Sequence, residues 1–183
     1  MITAFGHATL LVHDLQGGID CYRHILAREP QYRVSSDGLE SAIFAMDNST
    51  LRVSSPQGAG SQGDIARRQL AEAGEGFVDL AFRVEDIHRA HRRLKRLSLS
   101  SDSISDVMEC DKAGSTQYAW KRLELPAVCL HGVAISLSDL DPGLPSPGET
   151  PSDIIGFDLL VVATAHPERG VPLRRASRTF HDL

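Results

Sequence analysis

Cysteine is scarce and scattered: Cys21, Cys110 and Cys129 are odd in number and far apart. They form neither a disulfide framework nor a CxxC metal pattern, so all three read as structural and a reducing, cytoplasmic setting is expected. No stretch approaches the ~20 apolar residues of a membrane span. The first residues lack the charged start and apolar run of a secretory signal. Positive charge is in the minority, with 19 Lys and Arg against 24 Asp and Glu and a net charge of −5. The densest basic run, residues 89–96, has no aromatic interleaved, so it reads as a solvated helix face and nucleic acid is not expected as a partner. A Ser-His-Asp order, a Walker loop and a GxGxxG after a strand are all missing. Gly114, Ser115 and Thr116 have no phosphate-loop context.

What is present is a repeat. Residues 7–15 read HATLLVHDL and residues 79–87 read DLAFRVEDI; each is followed by an amphipathic run. In both, a polar residue starts an apolar stretch and an Asp seven positions later opens a helix. A weaker third copy, LLVVATAHP, occupies residues 159–167. Offsets of 72 and 80 residues are too long for a solenoid turn, so each repeat is a whole supersecondary unit. With 42% apolar and 23% charged residues in 183, the chain suits a soluble globular fold with a sizeable core.

Alternation and turn signals predict the same order twice. The first module, residues 1–56, has a strand at 3–12, N-cap Asp14, a helix at 15–27, and strands near 32–34, 40–46 and 50–54. Residues 57–75 form a linker, flexible over 57–63, with a short helix from about Asp64 to Ala73. The second module, residues 76–140, has a strand at 78–84, N-cap Asp86, a helix to about Leu97, and strands near 103–108, 117–125 and 133–137. A Pro-rich linker at 141–152 leads to a partial third module at 153–183, a strand followed by a helix from His166 and Pro167. The expected fold class is α+β: paired βαβββ modules forming a cupped mixed sheet with flanking helices, plus a C-terminal βα half-module.

This pattern resembles the vicinal oxygen chelate superfamily of glyoxalase I, extradiol dioxygenases and bleomycin-resistance proteins. The stretches that carry the resemblance are FGHATLLVHDL (5–15), NSTLRVSSP (48–56), GFVDLAFRVEDI (76–87) and HGVAISLS (131–138), with GFDLLVVATAHP (156–167) resembling the start of a further unit. The resemblance implies a cup between the modules. In metal-using members, each module supplies one ligand from its first strand and one from its last. Carried over, those positions are His7, Arg52, Asp79 and Ser136. Alternation supports the register, because Leu51, Val53, Leu80, Phe82, Val133 and Ile135 would face the helices.

His7 and Asp79 could ligate a divalent ion. Arg52 has no lone pair to offer, and Ser136 is a weak neutral donor. The cofactor expectation is therefore none, or a divalent ion on His7 and Asp79. A second reading pairs Arg52 with Asp79 across the cup. Either Arg52 then grips a small organic anion with His7 as the acid/base group, or the two charges merely satisfy each other. Tyr118, Trp120, Arg122 and Glu124 share one strand face; if it looks inward, Trp120 is an apolar wall and Arg122 a polar contact. His13, His24 and His88 read as surface residues, and His131 as a loop residue. The function expected is an enzyme acting on a small oxygenated, anionic metabolite. The alternatives are a non-catalytic binder of the bleomycin-resistance type, a metal-dependent lyase or dioxygenase, and a module whose cup has lost its chemistry. Open sheet edges and the unfinished tail point to a homodimer that exchanges its C-terminal segment.

Overall fold

The computed structural model describes residues 2–99, 103–111, 117–125, 134–139, 154 and 156–157. The expected Pro-rich linker, the third module beyond Phe157, Cys129, His131 and residues 114–116 lie outside the described residues. Element order is β1 (Ile2–Leu11), α1 (Leu15–Leu26), β2 (Tyr32–Ser36), β3 (Leu39–Ala45), β4 (Thr50–Pro56), α2 (Ser61–Ala73), β5 (Gly76–Val84), α3 (Ile87–Arg96), β6 (Ser105–Asp111), β7 (Gln117–Leu125) and β8 (Ile135–Asp139). Each half is thus a βαβββ unit, with α2 between them. No helix among the described residues is long and apolar enough to cross a membrane.

The Asp residues of the repeat act where the sequence put them. Asp14 accepts a hydrogen bond from the Gln16 N–H at 3.0 Å, and Asp86 from the Arg89 N–H at 2.8 Å. Each satisfies a donor that the first helical turn leaves open. The outer face of the first half packs on α1: Leu15 and Ile19 meet Ala8, Leu10, Val53 and Leu51. In the second half, Ile87 and Leu94 of α3 cover Val84, Leu123 and Leu137. Full burial of one such side chain contributes roughly 1.5–3 kcal/mol.

The two four-stranded units join into one mixed sheet that closes in the order β1-β4-β3-β2-β6-β7-β8-β5. Within each unit the first and last strands are parallel, β1 with β4 and β5 with β8. Two antiparallel seams connect the units, β1 with β5 and β2 with β6.

Helix α2 starts at Ser61, three residues before the expected Asp64, and the stretch expected to be flexible is shortened accordingly. The cause is tertiary. Asp37, at the β2–β3 turn, accepts from the Ser61 and Gln62 N–H groups and from the Ser61 hydroxyl. It therefore caps a helix remote in sequence. Gly63 N donates to Asp37 O at 3.0 Å, and a Cβ on Gly63 would lie 2.5 Å from Gly38 O. The backbones meet too closely for any side chain there.

The described part of the tail docks on the first half of the same chain. Phe157 meets Phe5 edge-on with centroids 5.9 Å apart, and Arg28 donates to Ile154 O at 2.7 Å. Asn48 both donates to Phe157 O and accepts from Phe157 N.

Candidate functional site in the cup

The inward face of the barrel carries the polar candidates, and strand alternation decides which side chains reach it. On β1 a bulge falls between Phe5 and His7: Phe5 pairs with Phe82, whereas His7 pairs with Ala81. Strict alternation would put Phe5 and His7 on one face. The bulge instead sends Phe5 to the outer core and leaves His7 inside. Gly6 sits at this point, where a Cβ would come within 3.1 Å of Ala81 O.

The structure brings four of the six expected residues, His7, Asp79, Arg122 and Ser136, into one connected group, and joins the other two, Arg52 and Trp120, to each other. His7 Nε2 lies 3.7 Å from Asp79 Oδ2. The Ser136 hydroxyl donates to the same oxygen at 3.2 Å, and an Arg122 terminal nitrogen stands 3.3 Å from it. Arg122 also lies 3.4 Å from Glu124. The Trp120 ring is beneath the Arg52 guanidinium, 5.8 Å from centroid to Cζ, a distance at which cation–π attraction operates. Only Arg52 departs from its expected partner. It forms a two-pronged ion pair with Glu109, one arm at 2.7 Å, and not with Asp79. Planar guanidinium and carboxylate match in this way when both are largely shielded from water.

Electrostatics follow from the burial. Asp79 is buried, which raises its carboxyl above the usual range although Arg122, the Ser136 hydroxyl and Arg52 all oppose that. His7 is held well below its usual 6.5, first by burial and then by the charges of Arg52, Arg122 and Arg83. It is a neutral imidazole at neutral pH. Burial works against the Arg52 charge, but Glu109 more than offsets it and the guanidinium stays above its usual range. Asp79 Oδ1 is buried without a hydrogen-bond partner, as are Nε of Arg83 and Nε of Arg122.

A divalent ion does not fit this donor set. Of the four positions, His7 and Asp79 offer lone pairs, but Arg52 is a cation committed to Glu109. The fourth, Ser136, is a weak neutral donor, and its hydroxyl is bonded to Asp79 Oδ2. Arg122 crowds that oxygen as well. Metal sites in enzymes commonly have three protein ligands and an open position. Among the described residues no group of three His, Cys, Asp or Glu is gathered to supply them.

Three participants escaped the sequence reading. Glu109 follows the expected end of its strand at Met108 by one residue; two more residues of alternation from Val107 would have found it. Arg83 shares a face with Asp79 four residues earlier, a signal present in the repeat itself. Tyr32 stacks on Tyr118 with centroids 5.1 Å apart, a pairing no local pattern announces. His13, His24 and His88 are exposed, as are Cys21 and Cys110.

No curated protein sequence matches the chain. Several solved structures match its fold. The methylmalonyl-CoA epimerase of Mycobacterium tuberculosis superposes with a TM-score of 0.61 at 20% identity, covering 77% of this chain and 90% of that one. Streptomyces coelicolor methylmalonyl-CoA epimerase, in complex with 2-nitronate-propionyl-CoA, gives 0.60 at 20% identity, covering 76% and 98%. A hypothetical protein from Bacillus halodurans gives 0.63 at 14% identity, covering 78% and 97%. At such identities the likeness is one of fold. The model of the Glyoxalase/Bleomycin resistance protein/Dioxygenase superfamily matches residues 4–117, more than half of the chain, and together with the paired βαβββ halves this shows that the protein belongs to that superfamily.

Proposed function

We propose that the cup is the active site of a small-molecule enzyme that moves a proton on a small organic anion, without a metal. The observation that carries this reading is a neutral imidazole beside a buried, half-paired carboxylate, among three guanidinium groups. A neutral His7 is able to accept a proton, and the Asp79 carboxylate beside it, 3.7 Å away, would stabilise the imidazolium that forms. The guanidiniums would stabilise negative charge developing on the ligand. Arg52, the clamp expected from sequence, is committed to Glu109. Arg122, 30% exposed on its side chain, takes that part because it still has a donor to offer. The epimerases with this fold include one holding a 2-nitronate-propionyl-CoA, which supports including acyl thioesters among the candidate substrates.

The half-paired state of Asp79 also argues against a cup that has lost its chemistry, since an inert interior has no reason to keep a buried acceptor open. The test is proton exchange. A panel of small organic acids and acyl-CoA thioesters is incubated with the protein in deuterated buffer, and loss of C–H signal is followed by NMR. Wild-type exchange that disappears in His7→Asn supports the enzyme. Saturable binding with no exchange on any compound would sink it and leave the sequestering binder.

A further inference from the structure

The charges of the cup do not balance locally. Arg52 is matched by Glu109, and Arg122 lies beside Asp79 and Glu124. Arg83 has no carboxylate within ion-pair distance among the described residues, yet its Nε is buried and its charge acts on His7. A cation inside a barrel without a counter-charge is costly unless something anionic visits it.

Register places a second cation nearby. Arg83 on β5 is opposite Ser138 on β8, and Ser138 is opposite Arg122 on β7. The three form one row across adjacent strands, on the face that also carries Asp79 and Ser136. Strands lie about 4.8 Å apart, so two long side chains flank a short buried hydroxyl. Arg122 reaches Asp79 Oδ2 at 3.3 Å, and the Arg83 charge acts on His7. The Nε–H group of each is buried without a hydrogen-bond partner among the described residues. Asp79 Oδ1 is an open acceptor on a side chain more than nine-tenths buried. Two unmatched donors and one unmatched acceptor on the same face describe the ligand's chemistry.

We infer that Arg83, Ser138 and Arg122 form an anion cradle for a small carboxylate that carries a hydroxyl on the adjacent carbon, the carboxylate resting on the two guanidiniums and the hydroxyl donating to Asp79 Oδ1. This deepens the proposed function, since it names the ligand for the same cup, but it concerns binding and not turnover.

The test uses the full chain and three probes, glycolate, acetate and inorganic phosphate, with affinities measured by calorimetry or NMR titration. Glycolate binds about 2- to 10-fold more tightly than acetate, the worth of one neutral hydrogen bond. Arg83→Gln and Arg122→Gln each weaken glycolate about tenfold or more, as loss of a charge-assisted bond requires. Arg83→Lys falls between, keeping charge without the planar fork. Arg92→Gln, an equal charge loss on the exposed face of α3, changes nothing. A cooperative thermal transition in each variant guards against misfolding. Unchanged glycolate affinity in Arg83→Gln overturns the cradle, as does failure of every probe to bind. Phosphate binding more tightly than glycolate overturns the carboxylate assignment. Proton exchange that needs His7 but ignores Arg83 would break the cradle alone. An intact cradle with no exchange on any substrate would break the enzyme reading alone.

Discussion

Two seams close this barrel, and they are built on different principles. Between β1 and β5, eight residue pairs run along nearly the whole length of both strands, through three register shifts. Between β2 and β6, two pairs are in register, Val34 with Asp111 and Ser35 with Cys110. The long seam is held by its backbone ladder and can give its inward side chains, His7 and Asp79, to chemistry. The short seam is held by side chains: the Arg52–Glu109 pair, the Tyr32–Tyr118 stack, and Ser36 Oγ donating to Met108 O at 3.1 Å. Backbone closure leaves a site free, whereas side-chain closure consumes it. That is why Arg52, at a position resembling a metal ligand's, is a strut.

The sharpest way to break this contrast is Glu109→Ala. It leaves a largely buried guanidinium unpaired, which typically costs about 3–5 kcal/mol. Chemical denaturation should show the loss, and hydrogen exchange should rise in β2 and β6 while β1 and β5 stay protected. Equal exposure at both seams would refute their difference. Next in size is Gly63→Ala, which drives a Cβ into the Gly38 carbonyl and loosens the hairpin carrying β2. Overpacking of this kind costs about 1–3 kcal/mol, read as a lower melting temperature with the ligand site unaltered. A double-mutant cycle on Tyr32→Leu and Tyr118→Leu should give a smaller coupling of about 0.5–1.5 kcal/mol for the stacked rings. A coupling near zero would remove the stack from the short seam.

The mildest lever is pH, and it acts at the long seam. Folded His7 stays neutral below its usual 6.5, whereas unfolded His7 takes up a proton there. Stability therefore falls as pH drops from about 6.5 toward the folded pKa. Asp79 has the opposite sign. Its raised pKa makes the folded form hold its proton longer, so its contribution improves on acidification above the usual 3.8. The two partly cancel, which keeps the net effect small. Melting temperature should decline from pH 7 to pH 5, and His7→Gln should flatten or invert that slope. An unchanged slope would mean that His7 is not the titrating group.

The helix caps, the strand faces and the twofold repeat were readable because they are local. An Asp before an amphipathic run caps a helix whatever lies elsewhere, and period-two alternation names a strand's inner face wherever that strand ends up. Trp120 and Arg122 were named on that basis, whereas His7, Asp79 and Ser136 came from the resemblance, with alternation supporting their register. Arg52 was found too, with the wrong partner. Its choice between Asp79 and Glu109 depends on which strand of the other half faces β4 across the cup. Nothing within nine or ten residues of Arg52 encodes that. The early start of α2 has the same origin, since its cap is an Asp twenty-four residues upstream.

The sequence by itself determined the paired βαβββ units and the two Asp caps through short-range periodicity and capping chemistry, and its resemblance to a family named the polar residues expected to turn inward. Tertiary structure decided the rest: which charges cancel, and which buried atoms are left open. Barrel closure committed Arg52 to Glu109 and, among the described residues, left Arg83 without a counter-ion and buried Asp79 with one oxygen unpaired. Such pairings depend on distances across a closed sheet, and those distances exist only once the chain has folded.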